Sequence, residues 1–502
     1  MRKLGKLLLL LAGGGLLGIV GMRTLMSCTS ISLPFGFTLN FPRGGGPVAD
    51  ATLGQRIRVP SGFNIGTYAT GIDNARWLAF TAAGDLLVSS PRAGKVFLLA
   101  RDADKNGKAD AMRVLLDGLD RPHGLALRDG WLYVAETGAV LRTRFDAASG
   151  VVSGDIERIV TDFPAGGNHW TRTIDFGPDG GLYVSVGSSC NVCIEDDPKR
   201  AALLRYEPDG SGGRIFATGL RNTVGFAWHP ATGELFGTDN GRDRLGDDFP
   251  PCELNRIVDG GFYGWPYANG DKAPDPNFGH HTDKVETSLA PVFHFRAHNA
   301  PLGIAFYDGS QFPAHYRNAA FVGLHGSWNR SRKDGYKVVA VWVDGDTPRA
   351  EDFVVGFELD ENVIGRPVDV KVGPDGALYV TDDFAGSVYR IAYGESAAKR
   401  LAAAPEPAIA VDPLADIDVI ALAAAQRSGA TLWETHQCAT CHLPGTPGIE
   451  VRPLTGLSGK FGIESLASYL NAPQPPMPSF ELDQIERRRR CRPQRIGRRG
   501  EQ

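Results

Sequence analysis

The middle of the chain repeats one pattern of apolar and polar residues. Each copy contains a short strand of alternating apolar and polar residues, a turn, and a second strand that is almost entirely apolar. In the clearest copies the turn is Gly-Pro-Asp-Gly, at residues 177–180 and 373–376. The copies begin at Arg76, Arg121, Arg172, Arg221, Ala300 and Arg366.

The spacing of the copies predicts the fold. Successive copies begin about 45 to 80 residues apart, and paired strands at such intervals are typical of propeller blades. A β-sandwich is the alternative, but a sandwich does not repeat one hairpin in this way. We therefore expect an all-β, six-bladed β-propeller over residues 56–395. The longer fourth and fifth intervals are expected to form insertions on its faces.

Composition agrees with a fold of many tight turns. The 502 residues include 63 glycines and 33 prolines, spread along the chain. A net charge of −4 gives no argument for nucleic-acid binding, and 7 cysteines are too few for a disulfide scaffold. A chain of this length is expected to form two or more folded units.

The N-terminus has the pattern of an export signal. Arg2, Lys3 and Lys6 precede the uncharged segment 7–22, and basic residues before a short apolar core are typical of secretory signals. We assign residues 1–28 to a signal peptide or an uncleaved membrane anchor. Cys28 ends a segment that loosely resembles a lipoprotein cleavage site, the alternative being an incidental cysteine. The Gly/Pro-rich residues 29–55 are predicted to be a linker.

A second domain is predicted after the propeller. An Ala/Pro-rich linker at 396–417 leads to a small all-α cytochrome c domain at 418–502. Its signature is Cys438-Ala-Thr-Cys441-His442, whose thiols can bind haem vinyl groups while the histidine ligates the iron. Met477 is the expected sixth ligand. A zinc half-site and a redox C-x-x-C are the alternatives, but no second Cys/His pair at zinc spacing follows.

The end of the chain departs from a cytochrome pattern. Eight arginines fall within residues 487–499, so this segment lacks the apolar face that a terminal cytochrome helix presents. A basic docking tail and an altered or truncated reading frame are the two interpretations. The abrupt change in composition favours the second, in which haem retention is impaired.

A calcium-type loop occurs early in the propeller. Oxygen-bearing side chains stand at its positions 1, 3, 5 and 9, namely Asp102, Asp104, Asn106 and Asp110. Arg113 replaces the bidentate Glu of position 12, so the segment is not an EF-hand. A structural calcium site and a polar hairpin turn are the alternatives.

Three loops that precede repeat strands carry polar groups at equivalent positions. His169 precedes the third copy, Arg221 and Asn222 begin the fourth, and Arg366 begins the sixth. In a propeller such loops converge on one central face. A loop histidine can act as a general base, although a structural histidine is the alternative. Converging arginines and an amide suit an anionic ligand with carboxylates.

Two further loops could contribute to the same face. The acidic residues 238–255 offer hard oxygen donors for calcium, with a solvated loop as the alternative; Asp247, Asp248 and Glu253 are the candidate ligands among their carboxylates. Residues 325–330 run from His325 to Arg330 and combine polar and aromatic residues. Such a segment suits a binding site, or a packed loop.

Three cysteines also lie in face loops. In an exported protein a disulfide among Cys190, Cys193 and Cys252 is expected. The sequence does not define the pairing, and a metal site would be one ligand short.

On these residues the chain resembles the quinoprotein glucose/sorbosone dehydrogenase family. Its members are six-bladed propellers that bind pyrroloquinoline quinone (PQQ) and calcium, and the resemblance covers about residues 55–395. It rests on Asn168-His169 before the third copy, Gly219-Leu-Arg221-Asn222, Asp239-Asn-Gly241, residues 247–255, and Gly365-Arg366-Pro-Val-Asp-Val.

The resemblance implies a role for each matched residue. His169 would remove the substrate hydroxyl proton as hydride passes to PQQ. Arg221 would stabilise the developing charge near the reacting carbonyl, and Asn222 and Arg366 would hold PQQ.

The calcium ligands and the substrate are also implied by the family. Backbone carbonyls of Gly241 and Arg242 would ligate the calcium that polarises the quinone. Glucose-type members carry Pro after the matched Gly and a Lys on the fifth-blade loop. Here Arg242 and the segment 325–330 stand instead, which favours the sorbosone branch over glucose.

These observations are compatible with three functions. The first is an exported PQQ- and calcium-dependent dehydrogenase that oxidises a sugar or sugar aldehyde and passes electrons through haem c to a periplasmic or membrane acceptor. The second is a calcium-dependent propeller lactonase, and the third is a non-catalytic sugar-binding electron-transfer protein. The first accounts for both halves of the chain, because a reduced quinone must be reoxidised.

Overall fold

The computed structural model describes residues 46–344 and 347–394, together with the backbone of 30–33 and 37–40. The chain divides into two units, Met1–Ala404 and Pro405–Gln502, and every element below belongs to the first. The predicted signal or anchor, the 396–417 linker and the cytochrome c domain lie outside the described residues. The same holds for the predicted haem residues Cys438, Cys441, His442 and Met477, which stay predictions.

Three short elements precede the propeller. Strands β1 (Ser30–Leu33) and β2 (Phe37–Asn40) pair antiparallel, and helix α1 (Asp50–Arg56) follows. These elements cover much of residues 29–55, for which composition predicts only a linker, and α1 ends one residue beyond them. Leu53 of α1 is buried in the apolar cluster that contains Phe63 and Phe353. A tertiary contact therefore stabilises a helix too short to show a period in the sequence.

Six four-stranded antiparallel sheets form the body of the described chain. Strand β3 (Phe63–Thr70) comes first and belongs to the last sheet. Blade 1 contains β4 (Leu78–Phe80), β5 (Leu86–Ser90), β6 (Lys95–Leu99) and β7 (Met112–Leu116). Blade 2 contains β8 (Leu125–Arg128), β9 (Trp131–Ala135), β10 (Val140–Asp146) and β11 (Val151–Val160). Blade 3 contains β12 (Ile174–Phe176), β13 (Leu182–Val186), β14 (Ala202–Tyr206) and β15 (Arg214–Thr218).

Blades 4 and 5 carry the two insertions. Blade 4 contains β16 (Thr223–Trp228), β17 (Leu235–Asp239) and β18 (Cys252–Ile257), then an insertion with β19 (Ala268–Asn269), β20 (Ala273–Pro274) and helix α2 (Thr282–Thr287), and finally β21 (Phe293–Phe295). Blade 5 contains β22 (Pro301–Phe306), a 3₁₀ turn (Ala314–Tyr316), β23 (Ala320–Leu324), β24 (Lys337–Trp342) and β25 (Arg349–Val354). The ribbon of β26 (Glu358–Leu359) and β27 (Asn362–Val363) leads to blade 6, which contains β28 (Pro367–Val372), β29 (Leu378–Asp382), β30 (Ser387–Tyr393) and β3.

The prediction of a six-bladed propeller is confirmed. Each of the six repeat copies supplies the first two strands of one sheet, and in blades 3 and 6 a Gly-Pro-Asp-Gly turn joins these two strands. In blade 3 the Gly180 amide donates to the Gly177 carbonyl, and Gly180 has φ +81°, a conformation that glycine adopts without strain. The pattern did not reveal the outer strands. Strand β11, for example, is mostly exposed and lacks an apolar face.

The apolar core lies between neighbouring blades. In blades 1, 3, 4, 5 and 6 the second strand is buried along its whole length, because both of its faces pack against adjacent sheets. Among the described residues, a separate apolar cluster fills each of the six junctions. This arrangement explains why the second strand of each copy is a continuous apolar run in the sequence.

The ring closes through a strand from the start of the chain. Strand β3 pairs antiparallel with β30, so that Phe63 lies opposite Tyr393 and Ile65 opposite Ile391. Blade 6 thus combines three strands from the end of the propeller with one from its beginning. Within the described part of the chain, no helix has the length and apolar character needed to cross a membrane.

Candidate active site

A cavity of about 620 Å³ opens where loops from all six blades meet. Its size is in the range of small-molecule sites, roughly 300–1,000 Å³. Four arginines and two aspartates line it, namely Arg76, Arg92, Arg121, Arg221, Asp243 and Asp383. The lining therefore has an excess of positive charge, which suits an anionic ligand.

The structure brings several of the predicted site residues to this cavity. Those that line it are His169, Arg221, Asn222, Gly241 and His325. They come from loops of blades 3, 4 and 5, as expected for segments that precede or follow inner strands. The convergence of these segments follows from the propeller and is visible in no single segment of the sequence.

The His169 ring is held in one orientation. Its Nδ1 lies 2.8 Å from the Ser188 carbonyl oxygen and 2.9 Å from Ser188 Oγ. A carbonyl oxygen only accepts, so Nδ1 carries the proton and Nε2 retains its lone pair. Burial lowers the pKa of His169 to about 3, and the positive charge of Arg221 contributes further. At neutral pH the ring is therefore uncharged and able to accept a proton at Nε2.

Two buried arginines hold the loop that carries His169. The guanidinium of Arg172 donates to the carbonyl oxygens of Pro164, His169 and Thr171 at 2.7, 3.0 and 2.8 Å. Arg200 donates to the carbonyl oxygens of Gly166 and Gly187, and to that of His169. Neither role could be predicted from the sequence, because nothing near Arg172 or Arg200 in the chain indicates which carbonyl oxygens the guanidinium reaches.

Arg221 is buried and bridges two loops of the site. Its Nη1 donates to the carbonyl oxygens of Asn240 and Gly241, each at 3.0 Å, and its Nη2 lies 3.3 Å from Asp243 Oδ2. Burial lowers the pKa of Arg221, and the carboxylates of Asp243 and Asp239 partly offset the effect. The guanidinium is thus bonded to the loop predicted to bind calcium and to Asn191, near enough to His169 for its charge to lower the pKa of that histidine.

Asn222 offers an acceptor with no protein partner among the described residues. Its Oδ1 is buried and makes no hydrogen bond there, so it is free for a ligand in the cavity. A Cβ at Gly187 would lie 2.6 Å from this oxygen and 2.7 Å from His169 Cβ. Glycine at 187 therefore makes room for both side chains.

His325 belongs to a charged cluster at the opposite wall. Its Nε2 donates to Asp383 Oδ1 at 2.8 Å, and Arg76 Nη1 donates to Asp383 Oδ2 at 2.8 Å. Burial lowers the pKa of His325 to about 4, and the charge of Arg366 adds to this, so the histidine is a neutral donor. The cluster joins blades 1, 5 and 6.

Other predicted cofactor residues lie outside the cavity lining. Arg366 donates to the carbonyl oxygens of His325 and Gly326 at 3.1 and 3.2 Å. Arg330 donates to the carbonyl oxygens of Ala297 and Asp247. Both arginines thus contact the backbone of the loops around the site, and their predicted contact with a cofactor stays a prediction.

The carboxylates of the acidic segment in blade 4 contact groups of the protein. Ser331 donates to the carboxylate of Asp247, and Asp248 Oδ1 lies 3.5 Å from Arg330 Nη2. Glu253 is partly buried and accepts from the Gly270 amide at 2.9 Å. Among the described residues, no group of three clustered ligand side chains includes any of these carboxylates. Their predicted joint role as calcium ligands stays a prediction.

At the cavity itself the oxygen donors are different. Gly241 lines the cavity, as does Asp243, a residue that was not among the predicted ligands. The side chain of Arg242 turns away and forms a buried ion pair with Asp275, at 2.7 Å. A carbonyl and a carboxylate are hard oxygen donors of the type that calcium prefers.

The calcium-type loop lies between β6 and β7, away from the cavity. The carboxylates of Asp102, Asp104 and Asp110 come close enough together to hold one ion. Asp102 also accepts from the amides of Asn106 and Gly107, at 2.9 and 2.7 Å. The same geometry serves a polar turn, so a structural calcium here stays a prediction.

The pairing of the cysteines is decided by the structure. Cys190 and Cys193 form a disulfide, with their Cα atoms 6.2 Å apart, while Cys252 is buried and free. The prediction of a disulfide among the three is confirmed.

Trp170, beside His169, lies 4.4 Å from the guanidinium of Arg121 and adds an aromatic surface to the rim of the cavity.

Comparison with known sequences identifies a family for the chain. The profile of the family described as Glucose / Sorbosone dehydrogenase matches residues 131–390. An uncharacterized protein of Borreliella burgdorferi is 39% identical over 217 residues, which are 42% of this chain and 57% of that protein. The aldose sugar dehydrogenase YliI of Escherichia coli is 28% identical over 308 residues, 55% of this chain and 76% of that protein. The match thus spans little more than half the length of the first of these relatives.

Solved structures share the fold. The holo form of the PQQ domain of pyranose dehydrogenase from Coprinopsis cinerea superimposes with a TM-score of 0.59 at 22% identity, over 67% of this chain and 97% of that one. A calcium structure of a family AA12 carbohydrate-active enzyme from Trichoderma reesei gives a TM-score of 0.57 at 22% identity, over 67% and 97% of the two chains. At this level of identity the likeness supports the fold alone.

Proposed function

Because the chain belongs to the glucose/sorbosone dehydrogenase family, we propose that it is a PQQ- and calcium-dependent dehydrogenase that oxidises a sugar or a sugar aldehyde. The observation that carries the proposal is the convergence of His169, Arg221 and Asn222 on one positively charged cavity. These are the residues to which the family resemblance assigns the base, the charge-stabilising cation and a cofactor contact.

The cavity fits PQQ by its size and by its chemistry. PQQ is a planar tricarboxylate, and the lining provides an excess of arginines over aspartates. Asn222 Oδ1 is a buried acceptor without a protein partner in the described chain, and Gly187 leaves the space in front of it free. Asn222 and the arginines would hold the cofactor, and the Gly241 loop with Asp243 would hold calcium against it.

The protein residues prepare the substrate for oxidation. When bound, PQQ supplies the hydride acceptor and calcium polarises it. His169 accepts the proton of the substrate hydroxyl, or of the hydrated aldehyde, at Nε2, because Nδ1 is engaged with Ser188. Arg221 stands beside His169 and stabilises the negative charge that develops on the substrate oxygen as the proton leaves.

The destination of the electrons forms the second half of the proposal. The C-x-x-C-H sequence at 438–442 would bind haem c, with Met477 as the sixth ligand, and would reoxidise the cofactor. Haem c and the N-terminal signal pattern together support a periplasmic site, or one on the outer face of the cytoplasmic membrane. A downstream acceptor there would complete the chain.

The substrate is proposed to be of the sorbosone or aldose type. Arg242 stands where glucose-type members carry Pro, and its side chain is committed to Asp275. The polar and aromatic segment at 325–330 replaces the lysine of those members and places Trp328 on the cavity. These differences support a sugar aldehyde over glucose.

The first experiment uses the exported full chain, matured with haem and supplied with PQQ and calcium. The haem spectrum and the reduction of a soluble dye are recorded while aldoses and sugar aldehydes are titrated. We expect reduction of both to require PQQ and sugar, and to disappear in His169→Ala. Ile194→Ala, which changes an exposed residue, is the matched control.

Each outcome has a distinct meaning. Dye reduction with a silent haem would support the dehydrogenase and contradict the internal electron route. Absence of PQQ-dependent reduction of both acceptors would overturn the proposed function for the sugars tested. Calcium-dependent lactone hydrolysis without PQQ would favour the hydrolase in its place.

A further inference from the structure

We propose that Asn191, enclosed by the Cys190–Cys193 disulfide, is a positioning residue that sets the geometry of Arg221, and that reduction of this disulfide switches the site to a less active state. The part of this inference that concerns activity rests on the proposed function.

Asn191 contacts Arg221 through both its backbone and its side chain. Arg221 Nε donates to the Asn191 carbonyl oxygen and Arg221 Nη2 donates to Asn191 Oδ1, each at 2.9 Å. These two parallel bonds fix the plane of the guanidinium. Trp265 Nε1 donates a second hydrogen bond to the same carbonyl oxygen, at 3.3 Å.

The same residue also holds the loop that follows Gly241. The Asp243 amide donates to Asn191 Oδ1 at 2.8 Å, and Asn191 Nδ2 donates to the Asp243 carbonyl oxygen at 3.1 Å. Asp243 and Gly241 line the cavity and Arg221 reaches both. One asparagine thus links the catalytic arginine to the proposed calcium loop.

The disulfide ring reaches His169 through a second route. Ser188 Oγ donates to the Cys190 carbonyl oxygen at 2.7 Å and lies 2.9 Å from His169 Nδ1. Because the hydroxyl proton points to Cys190, the hydroxyl oxygen is free to accept from the histidine. The four residues Cys190 to Cys193 therefore contact the supports of both proposed catalytic side chains.

A covalent ring is suited to this task because the segment is a loop without strand pairing. Residues 190–193 belong to no helix or strand, and both cysteines are only partly buried. Cross-linking restricts the conformations that such a loop can adopt, so the backbone carbonyl of Asn191 is held toward Arg221. Without the cross-link, these hydrogen bonds alone must order the loop.

The partial exposure of the two cysteines also makes the bond accessible to a reductant. A dithiol or a phosphine breaks the S–S bond, supplies two electrons, and leaves two thiols that take up two protons. A dithiol is itself oxidised to its disulfide, and a phosphine to its oxide. The free thiols would then stand beside Glu195, which accepts from Ser189 at 2.6 Å.

The test combines reduction with single variants of the full protein. The cofactor-free protein is reduced with a phosphine in chelator, the phosphine is removed under argon, and the protein is then loaded with PQQ and calcium. This order keeps the reductant away from the quinone. Activity with a soluble dye is compared for the oxidised form, the reduced form, Cys190→Ser/Cys193→Ser, Asn191→Ala, Asn191→Asp, and Ile194→Ala as the matched control from the same loop.

We expect reduction and Asn191→Ala to lower kcat by about 10-fold or more, as loss of a supporting hydrogen-bond partner does in other sites. Reoxidation should restore the activity of the reduced form. Asn191→Asp keeps the acceptor oxygens and should recover part of the activity. In a protein that already carries Arg221→Ala, adding Asn191→Ala should lower kcat by less than about a further 2-fold, because the guanidinium that Asn191 positions is absent.

A second readout needs no cofactor. Amide hydrogen exchange of the peptide that contains Asp243 should accelerate in the reduced protein and in Asn191→Ala, and remain unchanged in Ile194→Ala. Wild-type activity in Asn191→Ala would overturn the positioning role. So would a double variant whose loss of kcat is the full product of the losses in Asn191→Ala and Arg221→Ala. Full activity of the reduced protein would overturn the switch. If the wild type shows no PQQ-dependent turnover, the proposed function fails, and unchanged exchange at Asp243 would then overturn the inference as well.

Discussion

The proposed chemistry of the site depends on a histidine, His169, that its surroundings keep uncharged. His169 is largely enclosed, and the positive charge of Arg221 opposes a second positive charge on the ring. Both effects favour the neutral form, which is the one that accepts a proton. The bond from Nδ1 to the Ser188 carbonyl fixes which nitrogen does so.

The activity of this base predicts an unusual pH profile. An ordinary histidine loses base activity as the pH falls through about 6.5, whereas the pKa of His169 is lowered to about 3. We expect kcat/KM to show no ionisation near pH 6.5 and to decline only as the pH approaches 4 and below. Arg221→Ala removes the neighbouring charge and should move this decline to higher pH.

The profile is measured with a soluble dye as acceptor, so that haem chemistry does not contribute. His294→Asn is the matched control, because His294 is exposed and outside the cavity lining. A decline centred near pH 6.5 in the wild type would contradict a buried, neutral His169. If kcat/KM declines at the same pH in Arg221→Ala as in the wild type, the electrostatic coupling of Arg221 and His169 would be contradicted.

At the scale of elements, loops rather than strands hold the site together. Asp383 follows β29 of blade 6 and pairs with Arg76 of blade 1 and His325 of blade 5. Burial alone would raise the pKa of Asp383, but the donors His325 and Arg76 outweigh it and hold this pKa well below its usual range. The carboxylate is therefore ionised and links three blades beside the cavity.

Asp383→Ala is expected to lower the free energy of unfolding by about 3–5 kcal/mol, because it leaves Arg76 buried without its carboxylate. Urea unfolding at pH 7 measures this. The contribution of a carboxylate with a lowered pKa is present above about pH 4 and is lost as the pH falls further. The difference between wild type and Asp383→Asn should accordingly shrink below pH 4.

Asp117→Ala is the control for this experiment, since Asp117 forms an exposed pair with Lys95 at 3.5 Å. Asp117→Ala should change the free energy of unfolding by no more than about 0.5 kcal/mol. An equally small effect of Asp383→Ala would show that the three-blade cluster does not contribute to stability.

At the scale of the whole molecule, the ring depends on a contact between its two ends. Phe63 begins β3, and its ring lies 4.7 to 5.5 Å from the rings of Phe312, Tyr316, Phe353 and Tyr393. Strand β3 therefore closes blade 6 by hydrogen bonds and also by aromatic packing. A propeller without this closure has an unpaired edge strand, β30.

Phe63→Ala is expected to lower the free energy of unfolding by about 3–5 kcal/mol, through the lost apolar burial and the cavity that remains. Met112→Ala on the outer strand of blade 1 is the matched control, because Met112 is 43% exposed. Denaturant unfolding of both variants provides the measurement. Equal unfolding midpoints for the two variants would mean that β3 does not carry the closure.

Much of the fold was present in the sequence, for a physical reason. The first two strands of each blade are short, and the second is buried on both faces, so each copy shows an apolar run with a turn before it. Strand β11 is exposed, and β3 pairs with a strand more than 300 residues away, so neither leaves a local pattern. The propeller and its blade number could therefore be predicted, whereas its outer strands and its closure could not.

The site, like the fold, was partly predictable from the sequence and partly decided by the tertiary structure. His169, Arg221, Asn222 and Gly241 could be found from the sequence, because each stands at a fixed position next to a repeat strand. The hydrogen bonds of Arg172 and Asn191, the place of Asp243 in the cavity lining and the pairing of Cys190 with Cys193 were decided only by the tertiary structure. Hydrogen bonds and disulfides join atoms that the fold brings together, and the order of residues along a chain does not specify which distant carbonyl, carboxylate or thiol a side chain will meet.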